Sequence, residues 1–163
     1  MLISIRVAGG VAGLERYLMK DSWLSDIHET AAGLFILGDD LIPDEVTKLL
    51  GALPTVARVK GGQWFTPIGQ SMISKTGVWR RHAERRTPGD INLQISEILE
   101  PLSKDRTVWQ SLQRRFDVKM DCGLIMSDWN EGLEILPETM KQLADRGVRL
   151  ELDVYGPMDA TSD

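Results

Sequence analysis

The sequence is poor in the side chains that carry most catalytic and metal chemistry. Its 163 residues include one cysteine, Cys122, and two histidines, His28 and His82. A structural zinc site needs four nitrogen or sulfur ligands, and the chain has no Cys-x-x-Cys or His-x-x-x-His pair. Nothing in the spacing brings a histidine to Cys122 as a general base. We therefore predict no metal site, no cofactor and no catalytic residue.

Disulfides and long apolar runs are missing as well, which bears on where the protein works. A single cysteine cannot form an intramolecular disulfide, so nothing indicates an oxidising compartment. No apolar run approaches the roughly 20 residues that span a bilayer, and Arg6 interrupts the apolar residues 2–7, which therefore do not resemble a signal peptide. The net charge of −5 argues against a membrane-surface role and against bulk affinity for nucleic acid. We expect a cytoplasmic protein.

One short phrase occurs twice in the chain, at residues 42–51 and 136–147. Each copy has an aliphatic residue, a proline, an acid, apolar residues three, six and seven places after the proline, and a later glycine. Proline fits the first turn of a helix because its missing N–H would have no partner there. Glycine suits the left-handed conformation that closes a helix. The phrase predicts two short helices that begin in the same way.

Strand patterns surround these two helices. Strict alternation of apolar and polar residues over 118–126 and 148–155 predicts strands in a sheet that is covered on one side only. The apolar run 32–38 predicts a strand that is buried on both faces. Shorter strands are predicted near residues 56–60 and 76–79. The helical spacing between them begins at Asp90, a suitable cap, and is divided at Pro101.

The assembled order predicts an α+β fold. It reads β-α-β-β, a long helical connection, then β-α-β, and the repeated helix suggests two split β-α-β halves. This arrangement is ferredoxin-like or related, with helices on one face of the sheet. We predict an N-terminal extension over residues 1–30, a single α+β domain over 31–157 and a disordered tail over 158–163.

An ordered series of short motifs runs from about residue 35 to residue 156. It consists of GDDLIPDEV at 38–46, LLG at 49–51, KG at 60–61, TGVW at 76–79, ILEPL at 98–102, LPE at 136–138, LA at 143–144 and LDVY at 152–155. In this series the chain resembles the bacterial family catalogued as domain of unknown function 4279. The resemblance implies a small bacterial cytoplasmic protein with no assigned activity. It leaves open that the protein neutralises a toxin by binding it.

Charge is segregated along the chain. Residues 51–90 carry seven basic and two acidic side chains, whereas residues 1–50 have a balance of −4 and residues 91–163 a balance of −6. Arginine and aromatic residues are enriched where proteins bind partners. We therefore predict a binding surface on the hairpin in this basic region. Its candidate residues are Arg58, Lys60, Trp64, Trp79, Arg80 and Arg81.

These features together predict a non-catalytic binding protein with an acidic protein as its partner. Nucleic acid is disfavoured because the predicted exposed sheet face mixes both signs of charge, and the oligomeric state stays open. One alternative is a phosphate-ligand-binding protein or an enzyme that uses Arg58 and Lys60. Another is a binder of single-stranded nucleic acid that stacks bases on tryptophan. A third is that the arginines pair with neighbouring acids while the tryptophans pack in the core.

Overall fold

The computed structural model of the protein describes residues 5–6 and 25–157. Within these ranges the chain forms ten strands and four helices. In chain order they are β1 (Ile5–Arg6), β2 (Ser25–Asp26), β3 (Glu29–Gly38), α1 (Pro43–Leu50), β4 (Val56–Arg58), β5 (Gln63–Phe65), β6 (Ser71–Ile73), β7 (Gly77–His82), α2 (Ile91–Leu99), α3 (Arg106–Gln113), β8 (Asp117–Ile125), β9 (Glu131–Glu134), α4 (Pro137–Arg146) and β10 (Arg149–Tyr155).

A five-stranded sheet with the order β10-β8-β3-β7-β4 forms the centre of the fold. Strand β3 is antiparallel to both β7 and β8, and β4 is antiparallel to β7. The unit β3-α1-β4 therefore encloses β7, and the unit β7-α2-α3-β8 encloses β3. Two interlocked split β-α-β units define the ferredoxin-like arrangement, so the predicted α+β class is confirmed. Strand β10 is an addition to it, parallel to β8.

The repeated phrase forms α1 and α4, as predicted. Each helix has proline in its first turn and ends at a glycine with positive φ, Gly51 at 82° and Gly147 at 63°. The second copy, however, does not lie in a split unit, because α4 joins β8 to its direct neighbour β10. The helix of the second split unit is the divided segment α2–α3. A helix phrase encodes how a helix begins and ends, and it does not encode which strands the helix connects.

The core lies between the sheet and its helices. Leu34, Ile36, Met120 and Cys122 are fully buried on the face of β3 and β8 that the helices cover. Helices α2 and α3 close this layer with their predicted apolar stripes, which are Ile91, Ile95, Ile98 and Leu99 in α2 and Trp109 and Leu112 in α3. No helix in the described ranges covers the opposite face, in agreement with the alternation of polar residues in β8 and β10.

The N-terminal part of the described chain adds a small second sheet. Strands β1 and β2 both pair in parallel with β9, in the order β1-β9-β2. Residues 29–30 already belong to the central strand β3, two residues before the predicted start of the domain. Residues 7–24 and 158–163 lie outside the described part of the chain, so the predicted extension and disordered tail stay predictions.

A buried polar contact fixes the start of α2 to the central strand. The side chain of Gln94 is fully buried, and its Oε1 accepts a hydrogen bond from Thr30 Oγ1 at 2.7 Å. Its Nε2 donates to the carbonyl oxygens of Thr30 at 3.1 Å and Glu84 at 2.6 Å. Thr30 Oγ1 also accepts from the backbone N–H of Asp90, which caps α2 as predicted. One glutamine thus joins three segments of the chain.

Replacing Gln94 by leucine is expected to lower the free energy of unfolding by about 2–4 kcal/mol. The substitution keeps most of the side-chain volume but leaves the Glu84 carbonyl and the Thr30 hydroxyl without this partner inside the protein. Urea unfolding followed by circular dichroism measures the change. The matched control is Gln110→Leu, at an exposed position of α3, which should stay within about 0.5 kcal/mol of wild type. Equal unfolding midpoints for the two variants would show that the buried hydrogen bonds of Gln94 do not stabilise the fold.

Candidate functional site

The β4–β7 hairpin continues beyond the five-stranded sheet as a two-stranded ribbon. Residues 59–76, which we call the arm, contain β5 and β6 paired in antiparallel fashion. At the base, the N–H of Gly61 donates to the carbonyl oxygen of Ser74 at 2.8 Å. At the tip, the N–H of Thr66 donates to the carbonyl oxygen of Gln70 at 2.9 Å. Backbone bonds at both ends give the arm a defined shape.

The arm exposes large apolar side chains. Ile68 at the tip is 87% exposed, Phe65 is 65% exposed and Ile73 is 57% exposed. The strand register places Phe65 and Ile73 on one face of the ribbon, with Trp64 and Met72 paired on the other. Isolated two-stranded ribbons are only marginally stable, and contiguous exposed apolar surface usually marks an interaction site. The exposed apolar side chains of the arm therefore make it a candidate interaction site.

Three of the predicted site residues make the contacts that hold the arm in place. The guanidinium of Arg58 lies over the ring of Trp64, 3.5 Å from its centroid, in a cation–π contact. Lys60 forms an ion pair with Asp39 at the end of β3. The hydrogen bond from Lys60 lowers the pKa of the Asp39 carboxyl below its usual value. These contacts fix the positions of two cations at the base of the arm.

Strand β7 separates the remaining predicted residues onto different faces of the sheet. Arg80 lies on the face without helices, 5.3 Å from the ring centroid of Phe35, and Arg81 donates from Nη1 to the Leu53 carbonyl at 2.8 Å. Trp79 is fully buried on the helix side, where its Nε1 donates to Thr47 Oγ1 at 3.0 Å. Its assignment to a binding surface is corrected here, because alternation along β7 turns its side chain into the core.

The ion pairs of this region show which cations remain unpaired. Arg85 pairs with Glu29 and Arg86 pairs with Glu97, so for these two arginines the alternative of pairing with neighbouring acids holds. Residues 46–83 contain no acidic side chain at all. They contain six cations, which are Lys48, Arg58, Lys60, Lys75, Arg80 and Arg81. Among the described residues, only Lys60 of the six forms an ion pair.

The exposed apolar residues of the arm were missed by the sequence analysis. Charge counting directed attention to arginine and tryptophan, whereas Phe65, Ile68 and Ile73 carry no charge. One available signal was the pair of adjacent apolar residues on each side of the turn at 66–70, Trp64-Phe65 before it and Met72-Ile73 after it. A hairpin with apolar residues on both of its faces has no core-facing side, which is typical of a segment that projects from the fold.

A second candidate is a cleft of about 410 Å³ beside the start of β3, lined in part by His28, Asp128 and Glu131. The buried carboxylate of Glu131 already has several donors, however. Its Oε2 accepts from the His28 N–H at 2.7 Å, and its Oε1 accepts from Ser127 Oγ at 2.6 Å. These bonds fix the 127–131 turn to the start of β3. In the part of the chain that the structure describes, no group of three His, Cys, Asp or Glu side chains could hold a metal ion.

A comparison with protein-family models places nearly all of the described residues in one family. The family model named Domain of unknown function (DUF4279) matches residues 28–157, which is most of the chain. The chain belongs to this family. The predicted resemblance is confirmed, and the DUF4279 match begins just before β3 and includes the five-stranded sheet, all four helices of the described ranges and the arm. Comparisons with curated proteins and with solved structures gave no match.

The described helices of this DUF4279 protein are all short. The longest of them, α4, has ten residues, and none is long and apolar enough to cross a membrane.

Proposed function

We propose that this DUF4279 protein is a non-catalytic binding module that docks its arm on an acidic surface of another protein. The observation that carries the proposal is the coincidence of two features in residues 46–83. This stretch has six cations and no acid, and it also projects the most exposed apolar side chain of the described part, Ile68.

The chemistry of the arm fits a partner with an apolar pocket and an acidic rim. Protein interfaces typically have an apolar centre, where a few anchor residues contribute most of the affinity, and a polar periphery. Phe65, Ile68 and Ile73 would supply the centre, and Arg58 and Lys75 would supply cations at the periphery. Arg58 is held flat on Trp64, so it loses less side-chain freedom on binding than a free arginine would.

Charge argues for a different protein rather than a second copy at this surface. A twofold dimer joins the same patch of both copies, so an arm-to-arm dimer would bring Arg58, Lys60 and Lys75 of one copy close to the same three cations of the other. Like charges across an interface oppose association, whereas opposite charges speed it. An acidic partner meets this requirement. Neutralisation of an acidic toxin by one-to-one binding is the more specific form of the proposal.

The test is affinity capture from a nuclease-treated lysate of the source cells, followed by calorimetry with the purified partner. The arm variant replaces Phe65, Ile68 and Ile73 by serine, and the charge variant replaces Arg58 and Lys75 by glutamate. The matched control replaces Leu53 and Trp129 by serine, because these side chains are 73% and 69% exposed but lie outside the arm. We expect the partner to bind wild type and control equally.

The arm variant is expected to lose about 100-fold or more in affinity, since anchor residues contribute about 2 kcal/mol or more each. The charge variant is expected to lose about tenfold or more, since glutamate at the rim would face the acidic side chains of the partner. Wild-type affinity should also fall as salt is raised, because the rim contacts are screened. Capture that disappears with nuclease treatment would show nucleic acid binding instead. Capture that inorganic phosphate abolishes would show a phosphate site at Arg58 and Lys60. Either outcome, or capture that is the same in all variants, would overturn the proposal.

A further inference from the structure

The sheet edge opposite the arm is a second surface, and no strand of the described ranges pairs with it. Strand β10 has seven residues and forms this edge, whereas β4 at the other edge has three and continues into the arm. Natural edge strands are usually short, bulged, interrupted by proline or covered, because exposed backbone groups can pair with another strand. Strand β10 contains neither proline nor glycine. Its length makes it suited to pairing.

The direction of the backbone N–H and C=O groups in β10 identifies which of its residues can pair with another strand. The Met126 N–H donates to the Tyr155 carbonyl at 2.9 Å, so the backbone groups of Tyr155 are directed toward β8. Backbone N–H and C=O groups of successive residues in a strand point to alternate edges. Those of Leu150, Leu152 and Val154 are therefore directed outward, and no described residue forms a hydrogen bond with them.

The side chains of the same three residues support the addition of a strand. Leu150, Leu152 and Val154 lie on the helix-covered face and are only partly buried at the border of the core. A further strand beside β10 would extend the sheet beneath them and remove more of their apolar surface from water, which favours association.

We infer that two copies of this chain pair through β10 in antiparallel fashion and form one continuous ten-stranded sheet. Charge and overlap together select the register, because a register centred on Leu150 would also pair Arg149 with Glu151 but would join only residues 149–151 of the two strands. When Glu151 lies opposite Glu151 of the second copy, Arg149 lies opposite Asp153 twice, and the outward residues Leu150 and Leu152 form hydrogen-bonded pairs. A register centred on Leu152 would instead place Glu151 opposite Asp153 twice, which is repulsive.

The side chains at this edge are suited to that register. Asp153 is exposed and forms no ion pair with any described residue. Arg149 donates from Nε to Glu151 at 2.9 Å and from Nη2 to Asp117 at 3.1 Å, which leaves its Nη1 for Asp153 of the second copy. Glu151 also pairs with Lys119, so the two central carboxylates that meet are each neutralised within their own chain.

The dimer would place the two arms far apart. The arm-bearing strand β4 and strand β10 are separated by four strand spacings, or about 19 Å, in each copy. The joined sheet would therefore present one arm at each end. This inference does not depend on the proposed function of the arm, and its test uses a different surface.

Sedimentation velocity of the full chain over a range of concentrations tests the inference. Wild type is expected to shift from 18.3 kDa toward twice that mass as concentration rises. Asp153→Arg places a cation opposite Arg149 and is expected to weaken the dimer at least tenfold. The control Ile68→Ser, in the arm, should leave it unchanged. Thermal melting by circular dichroism shows that each variant is folded.

A charge exchange tests the register itself. Chains with Arg149→Asp should not dimerise alone, but mixing them with chains carrying Asp153→Arg should give a mixed dimer, because both cross-strand pairs are then opposite in sign. A wild type that stays monomeric up to its solubility limit would overturn the inference. So would a dimer that persists in Asp153→Arg, or one that Ile68→Ser abolishes.

Discussion

Replacing Trp79 by alanine is expected to lower the free energy of unfolding by about 3–5 kcal/mol, the usual cost of removing a buried tryptophan. The side chain is fully buried between β7 and the helices, and its Nε1–H donates to Thr47 Oγ1 on α1. The substitution would leave a cavity under α1 and the Thr47 hydroxyl without its donor. Because small domains are stable by about 5–15 kcal/mol, much of the stability would be lost.

Trp64→Ala is the matched control for this loss. Trp64 is half-buried on the arm, where it contacts Arg58 and lies opposite Met72. We expect its removal to cost about 1 kcal/mol or less, since it gives up one exposed cation–π contact and little burial. Urea unfolding by fluorescence and circular dichroism compares the two variants. Similar losses in both would mean that Trp64 is a core residue, and a small loss in Trp79→Ala would contradict the structure.

The two tryptophans should also differ in partner binding. Trp64→Ala leaves the fold intact but frees Arg58 from its stacked position, so the partner captured by wild type should bind more weakly. Trp79→Phe keeps most of the buried volume and is expected to bind the partner like wild type at temperatures where it is folded. Of the two tryptophans in the basic hairpin, Trp79 is thus expected to stabilise the core, and Trp64 to hold Arg58 in position on the arm.

Cys122 is expected to react with a thiol reagent at least about 10³-fold more slowly in the folded protein than in urea at pH 8. Burial raises the pKa of its thiol from 9.0 to about 12, and the side chain has no exposed surface. Only the thiolate reacts, and each unit of pKa lowers its population about tenfold at this pH. Ellman's reagent in buffer and in urea measures the ratio. Equal rates would contradict the burial of Cys122 on the helix side of β8.

The same pKa shift makes stability depend on pH in one direction. The folded state favours the neutral thiol, so the contribution of Cys122 to the free energy of unfolding is complete below pH 9. This contribution is lost as the pH rises from 9 toward about 12. The loss from this group is about 1.4 kcal/mol per pH unit within that window. Cys122→Ala should remove this part of the pH dependence. Urea midpoints of the two proteins between pH 8 and 11 measure it, and parallel curves would contradict the expected difference.

The helix ends and the strand faces could be predicted from the sequence because they depend on neighbouring residues. The proline and glycine that bound α1 act within one turn, and Asp90 caps α2 three residues away. The alternation of apolar and polar residues in β8 and β10 predicted which face of the sheet carries the charged side chains. The absence of acidic residues from 46–83 is likewise visible in the sequence.

The position of Trp79, the order of the strands and the exposure of the arm could not be predicted in this way. Arg85 pairs with an acid 56 residues away, and the residues that pair between β3 and β8 are at least 80 positions apart in the sequence. Such pairings depend on which arrangement buries the most apolar surface over the whole chain, and no local pattern contains that comparison. The sequence by itself determined the four helices, five strands of the central sheet and the cationic stretch. Only the tertiary structure decided that α4 joins neighbouring strands, that Trp79 faces the core, and that Phe65, Ile68 and Ile73 remain outside it.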